Sequence, residues 1–334
     1  MKLRKPFFSK TMQEQINFYD TNYFPAVIHL NFSQKRYLGN KHDKVCRFCG
    51  LKSPDTTFKK EAHALPELIG NKVLISNYEC DICNEKFSRT IEDHFAKYTG
   101  LSRTMSQISG KKGVPSFKSK DKKSRIDFEN GMISIRSSMD NEIATIEDCK
   151  TQLIIHGHRQ PYNPRSVYKC LVKMALSVMP EEEIINFRDT LSWLNIENTE
   201  NDKIETNSLV CFHSFTPGGH PFPWITAILL KRKRDDLLLP YMAFFISFSN
   251  YTFQIFVPFS QRDSHILNQK IQLFFFPNIH HDTSKYGNVS YRLLNFSKNE
   301  IVEDERIEMI MHFDKKWSAP TGPKNQSKIS GNGN

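Results

Sequence analysis

Between residues 209 and 276 the apolar residues come in five bursts: LVCFHSF, WITAILL, YMAFFISF, YTFQIFVPF and IQLFFF. Turn residues, among them Pro217-Gly218-Gly219 and Ser249-Asn250, separate them. Aromatic and β-branched residues at this spacing predict an antiparallel sheet. MISIRS and QLIIHGH, within residues 126–160, alternate in the same way. Near the start, in an aromatic-rich stretch over residues 1–40, VIHLNF predicts a strand packed on the body of the protein. Helical spacing appears elsewhere. Val167, Cys170, Leu171, Met174 and Val178 follow Asn163-Pro164 and predict a helix that Pro180 stops. Pro180 also opens a second helix, with Glu181 to Glu183 in its first turn and Ile184, Phe187, Leu191 and Leu194 on its apolar face. Phe87, Ile91, Phe95 and Tyr98 mark a further helix, from near Cys80 to about Tyr98. Residues 195–208 read as a polar surface loop and the last residues as a disordered tail. The pattern divides the chain into an N-terminal segment (1–40), a motif-bearing module (41–108), a Gly/Ser/Lys-rich basic connector (109–125), a C-terminal α+β domain (126–316) with a helix pair and an antiparallel sheet, and the tail (317–334).

Composition narrows the class. A chain of 334 residues has room for two domains. With 39% apolar and 25% charged residues it is globular, which excludes wholesale disorder and collagen-like or coiled-coil architecture. The most apolar stretch, Leu237 to Phe259, is interrupted by Pro240, Ser247, Ser249, Asn250, Thr252 and Gln254, so no membrane span is expected. The first residues, MKLRKPFFSK, are basic but lack the apolar core of a secretion signal, and a cytoplasmic location is expected. The net charge of +10 is uneven. Residues 30–125 hold 20 Lys and Arg against 10 Asp and Glu, and the rest of the chain is balanced. A local basic surface attracts polyanions, nucleic acid above all.

Seven cysteines are too few, and odd in number, for a disulfide scaffold. Four of them form two knuckles, Cys46-Arg47-Phe48-Cys49 and Cys80-Asp81-Ile82-Cys83. Two such turns supply four thiolates to a tetrahedral zinc ion, and a closed four-sulfur site is structural because it leaves no coordination position open. The other three, Cys149, Cys170 and Cys211, sit in apolar patterns and read as core. Between the knuckles lie an extended piece ending in Glu61-Ala62-His63-Ala64-Leu65-Pro66, a loop with Gly70-Asn71, and the short strand Val73-Leu74-Ile75. The helix begins at the second knuckle.

This order, with CRFCG at 46–50, EAHALPELIGN at 61–71 and CDICNEKFSRTIEDHF at 80–95, resembles the HNH endonucleases, the ββα-metal nucleases, in their subgroup with a four-cysteine zinc site. The resemblance spans roughly residues 44–98. It implies a zinc-stapled ββα-metal module, a catalytic divalent ion (Mg²⁺ or Mn²⁺), and phosphodiester hydrolysis. It makes His63 the general base and Asn84 the residue that fixes the strand or loop bearing it. The catalytic metal ligand is then sought one to two helical turns beyond Asn84. At about 100° per residue, Glu92 and His94 lie about 80° to either side of Asn84, and Asp93 about 180° away, facing solvent. His94 and Glu92 are therefore the candidates. Where many HNH nucleases carry an acidic or histidine ligand just before the base, this chain has Ala62. Glu61, two residues before His63 on the same face of a strand, is the candidate to replace it.

Lys59, Lys60, Arg89, Arg103, Lys111 and Lys112 are the candidate phosphate contacts, with the Lys118 to Arg125 stretch behind them. His156-Gly157-His158 and His280-His281 read as turn or strand-end residues, and Lys231 to Arg234 as a charged hairpin turn. The expectation is a metal-dependent DNA endonuclease of restriction or anti-phage defence, with RNA an open second substrate. Its C-terminal domain would control or target it, through a small-molecule or protein activator. Double-strand cutting would suit a homodimer. The alternative is a zinc-dependent nucleic-acid-binding protein without catalysis.

Overall fold

A computed structural model describes residues 2–3, 11–30, 34–140, 142–147, 149, 151–196, 209–267, 269–278 and 286–317. It is a mixed α+β structure built around a six-stranded antiparallel sheet. In spatial order the strands are Ser290–Asn295, Val210–Phe215, Tyr251–Phe256, Met242–Ser249, Phe222–Arg232 and Tyr23–Leu30. The N-terminal strand thus closes one edge and starts four residues earlier than its alternation suggested. Residues 31 and 32, the end of VIHLNF, lie outside the described residues, as do most of the 195–208 loop, His280-His281 and the 318–334 tail.

The two central strands are buried almost without interruption. Both faces of the sheet are covered, so their sequences run apolar instead of alternating. On one face lies the helix Pro164–Val178, buried along its whole length. Asn163 caps it by accepting the N–H of Ser166, and Pro164 takes the first turn, where its missing N–H costs nothing. The second predicted helix is broken into Glu181–Ile184, the 3₁₀ turn Ile185–Phe187 and Arg188–Asn195. The break falls at Phe187, whose backbone leaves helical geometry (φ −122°, ψ 27°) while its ring is fully buried. Smaller three-stranded sheets flank the core. One joins Phe117–Lys118, Arg125–Glu129 and Met132–Arg136, so the basic stretch expected to be a plain connector ends in a hairpin. Another joins Ala144–Glu147, Gln152–His158 and Arg306–His312.

The motif-bearing module packs on this body. Phe95 meets Phe253 of the central sheet edge-on, with ring centroids 5.5 Å apart. Arg47, inside the first knuckle, stacks on Tyr78 and donates to the carbonyls of Leu176 and Met179 at 2.5 and 2.8 Å. It thereby satisfies the open end of the 164–178 helix, where backbone carbonyls lack partners and a cation is favoured. The four cations Lys231 to Arg234 are all engaged within the chain: Lys231 with Glu183, Arg232 with Asp263, Lys233 with the carbonyl of Asp20, and Arg234 with Asp236.

IQLFFF, predicted as a fifth strand, pairs only over Lys270–Ile271, in parallel with Lys2–Leu3. Beyond that, Leu273 and Phe275 bury their side chains against the second face of the sheet. The buried amide of Gln254 replaces the missing ladder: it donates to Phe274 O at 3.1 Å and accepts from Phe276 N at 2.7 Å. Replacing it with Leu strands the Phe276 N–H, while Phe274 O keeps the bond it accepts from the Tyr19 hydroxyl. We expect Gln254→Leu to lower the unfolding free energy by about 2–3 kcal/mol, read as a lower urea midpoint at unchanged slope.

Candidate active site

The four knuckle cysteines come together. Their sulfur atoms all lie within 4.8 Å of one another, with Cys49 and Cys80 3.7 Å apart. A tetrahedral zinc with Zn–S bonds of about 2.3 Å separates its sulfurs by roughly 3.8 Å, so the four fit that ion. Local backbone shapes the cluster. Gly50 (φ +74°) turns the chain back so that its N–H reaches Cys46 O at 2.8 Å. Cys80 stands at the start of the helix Asp81–Phe87, and its sulfur accepts the N–H of Cys83.

From this anchor the strand Ala62–His63 runs antiparallel to Leu74–Ser76, pairing His63 with Ile75. Two residues hold it. Asp81 accepts the backbone N–H groups of Lys59 and Lys60 at 3.0 and 2.9 Å, tying the approach to the strand to the helix start. Asn71, fully buried, donates to Leu65 O (2.6 Å) and Leu74 O (3.0 Å) and accepts from Val73 N and Leu74 N. It clamps both sides of the loop after His63, helped by Gly70 (φ +97°), which ends the short turn Glu67–Ile69. Asn71 thus makes the hydrogen bonds that fix the loop behind His63. Asn84 lines the cleft, and no hydrogen bond joins its side chain to the His63 strand among the described residues. A buried asparagine between two short strands is a signal available in the sequence, but Gly70-Asn71 reads there only as a loop.

Strand and helix enclose an open cleft of about 870 Å³. His63, Glu67, Asn84, Glu92 and Arg103 face it. The helix is not a uniform α-helix. Asp81–Phe87 passes into a π turn, Ser88–Glu92, before Asp93–Tyr98 resumes. A π turn takes in about one extra residue, setting the phase back by about 100°. Asn84, Ser88, Glu92 and Ala96, four residues apart, therefore share the cleft face. The same shift brings Asp93 into the cleft lining and takes His94 out of it. His94 Nδ1 instead accepts the N–H of Asn163, 3.1 Å away, beside the 164–178 helix. The structure thus does not bring His94 to the other site residues, because the uniform 100° step used to place it fails at residues 88–92.

The electrostatics follow from burial. His63 Nε2 stands 3.8 Å from Glu67 Oε2, and Nδ1 is buried without a partner. Burial holds the imidazole below its usual range, against the pull of Glu67 and Glu61, which keeps it neutral at pH 7. Glu67, four residues after His63, is a site residue that sequence reasoning passed over. Glu61 reaches the cleft but is paired with Lys35 at 2.9 Å. Ala62 is buried and offers no ligand. Glu92 Oε1 accepts from Lys173 Nζ at 3.2 Å. Among the described residues, only the four cysteines gather three or more ligand atoms within 4.8 Å. Mg²⁺ and Mn²⁺ do not require such a cage, since one or two carboxylates, waters and a substrate phosphate suffice. The hard donors Glu67 and Glu92 beside His63 fit that requirement.

Of the predicted cations, Lys60, Arg89, Arg103 and Lys111 line the cleft, while Lys59 and Lys112 do not. Lys60 and Arg89 share Glu85, at 3.5 and 2.6 Å. Arg103 has its Nε buried without a partner among the described residues, and burial lowers its guanidinium to about 10, still charged at pH 7. We expect one zinc per chain by atomic absorption. Cys83→Ala should abolish it and lower the melting temperature, because Cys46, Cys80 and Cys83 are part of the same core as Phe48 and Phe87.

Residues 46–99 match the family described as HNH endonuclease. No curated protein and no solved structure matches the chain. Among the described residues no helix is long and apolar enough to cross a membrane. Strand, loop, strand and helix around a four-sulfur cluster, with a histidine facing carboxylates across a cleft, make residues 46–99 an HNH endonuclease domain, of a phosphodiester hydrolase family, and imply nuclease activity.

Proposed function

We propose that this chain is a metal-dependent DNA endonuclease acting in restriction or anti-phage defence, with the elements beyond residue 126 controlling or targeting the cut. The observation that carries the nuclease reading is a half-buried His63 in one cleft with Glu67, Glu92 and an Arg103 whose Nε has no partner. The defence setting rests on the argument that an unrestrained nuclease endangers its own genome, which gives the large body around the module a purpose.

In this reading His63 takes a proton from the attacking water, and its neutral state at pH 7 leaves a lone pair free to do so. Glu67 and Glu92 would hold the divalent ion. When bound, that ion supplies charge stabilisation at the phosphate oxygens and the leaving 3′-oxygen. Arg103 binds a phosphate: a guanidinium retained in a partly buried wall gains more from an anion than an exposed one. Lys60 and Lys111 extend that contact along the backbone without reading sequence. Asn71 and Asp81 keep the His63 strand at a fixed distance from the helix, which is what positioning for in-line attack requires.

The test is cleavage of supercoiled plasmid, with an RNA of matched length in parallel, in EDTA, Mg²⁺ and Mn²⁺. We expect metal-dependent nicking or linearisation of DNA that His63→Ala lowers by about 10²–10⁴-fold. Glu92→Gln should lose a comparable factor, whereas Glu61→Gln, already neutralised by Lys35, should lose less than about tenfold. If His63→Ala cleaves as well as the wild type, His63 is not the base; if both proteins bind DNA and neither cleaves it, the chain is the non-catalytic binder that Ala62 would allow. Arg103→Ala should weaken DNA binding about tenfold and reduce the salt slope of the binding constant by about one.

A further inference from the structure

The 164–178 helix is buried on every side, and besides Arg165 and Ser166 in its first turn it carries two buried cations, Lys169 and Lys173. Lys169 reaches the end of the Arg188–Asn195 helix, donating to Ile196 O at 2.8 Å and lying over the Trp193 ring. Lys173 points the other way. Its side chain is 1% exposed, and its ammonium sits 2.9 Å from Glu79 Oε2, 3.2 Å from Glu92 Oε1 and 3.3 Å from His63 O. The contacts to Glu92 and His63 O are hydrogen bonds, and the one to Glu79 is an ion pair. All three oxygens belong to the HNH domain, and Lys173 lies more than 70 residues beyond its end.

An ammonium this buried is retained only where its partners are well placed, since removing it from water is costly. Burial pulls it down, but the two carboxylates outweigh burial and hold Lys173 protonated. The partners are informative. Glu79 precedes the second knuckle and is itself buried, and among the described residues neither of its oxygens accepts a hydrogen bond, so Lys173 is its ion-pair partner. Glu92 belongs to the cleft, and His63 O belongs to the backbone of the candidate base. One cation therefore bridges the catalytic strand and the π turn. It also occupies one oxygen of Glu92, which orients the carboxylate and leaves Oε2 for the cleft.

We infer that Lys173 is a positioning residue of the nuclease site: it fixes the Glu92 carboxylate against the His63 strand, so that the HNH domain obtains its working geometry only when docked on the 164–178 helix. The inference rests on the nuclease reading above. It makes the body of the protein a part of the active site as well as its carrier, and it gives any signal that shifts this helix a direct route to the cleft.

The test separates positioning from fold stability. Lys173→Met leaves Glu79 buried and unpaired and should lower the melting temperature. Lys173→Met with Glu79→Gln removes both charges, which restores much of the stability because no unpaired ion remains in the core. Zinc content, melting temperature and Mn²⁺ affinity, the last from the electron paramagnetic resonance signal of free Mn²⁺, are read on the same full-length samples, with plasmid cleavage alongside. We expect the double variant to keep its zinc, recover its melting temperature and still bind Mn²⁺ at least about tenfold more weakly, with cleavage that recovers only at raised Mn²⁺. A double variant with wild-type Mn²⁺ affinity overturns the role of Lys173. So does a single variant that melts earlier but binds Mn²⁺ unchanged. A wild-type protein that neither binds Mn²⁺ nor cleaves overturns the nuclease reading itself, and that result is distinct from the other two.

Discussion

Four sulfur atoms within 4.8 Å of one another set the frame from which every other distance in the cleft follows. A strand of two residues and a helix interrupted by a π turn have too little surface to hold each other in place. The sulfur cluster fixes the start of the helix to the turn at residues 46–50. Asp81 then ties the approach to the strand, and Asn71 closes the loop behind His63. Each device is short in sequence and exact in register, so the imidazole and the carboxylates are held by backbone geometry more than by apolar packing.

Much of this was legible in the sequence. The two knuckles are local motifs, readable without any fold. The apolar stripe Phe87, Ile91, Phe95 was visible and is buried as expected. The bursts between residues 209 and 256 became adjacent strands of one sheet. What escaped depended on geometry that leaves a weaker trace. The π turn moved Asp93 into the cleft and His94 out of it. A hint existed, because both the buried stripe and the polar series Asn84, Ser88, Glu92 advance by four residues, a spacing that drifts about 40° per step around an ideal α-helix. Asn71 was hidden because its value lies in four backbone contacts that no composition rule shows. Lys173 was passed over as an ordinary helix residue, although a lysine among Cys170, Leu171 and Met174 is itself a sign of a buried partner.

The charge distribution fits the same picture. The excess of cations sits in residues 30–125, yet several of these cations are spent on carboxylates of the chain: Lys35 on Glu61, Lys60 and Arg89 on Glu85, Lys97 on Asp93. Arg103 differs in facing the cleft with a buried nitrogen unsatisfied. A basic surface draws a polyanion in, and in the proposed reading the incompletely satisfied Arg103 in the same cleft as His63 is where a phosphate would stop. Under that proposal, the neutral imidazole would serve the nucleophile, Glu92 the ion and Arg103 the phosphate.

If the cleft is the active site, one divalent ion and one DNA phosphate meet in it. The most direct measurement is a crystal structure of the full-length protein with Mn²⁺ and a DNA duplex carrying a non-cleavable phosphate analogue, with anomalous scattering collected at the manganese edge. The account predicts an anomalous peak at coordination distance from Glu92 or Glu67, next to a phosphate held by Arg103 and facing His63. A duplex bound elsewhere on the protein, with no manganese in the cleft, would contradict it.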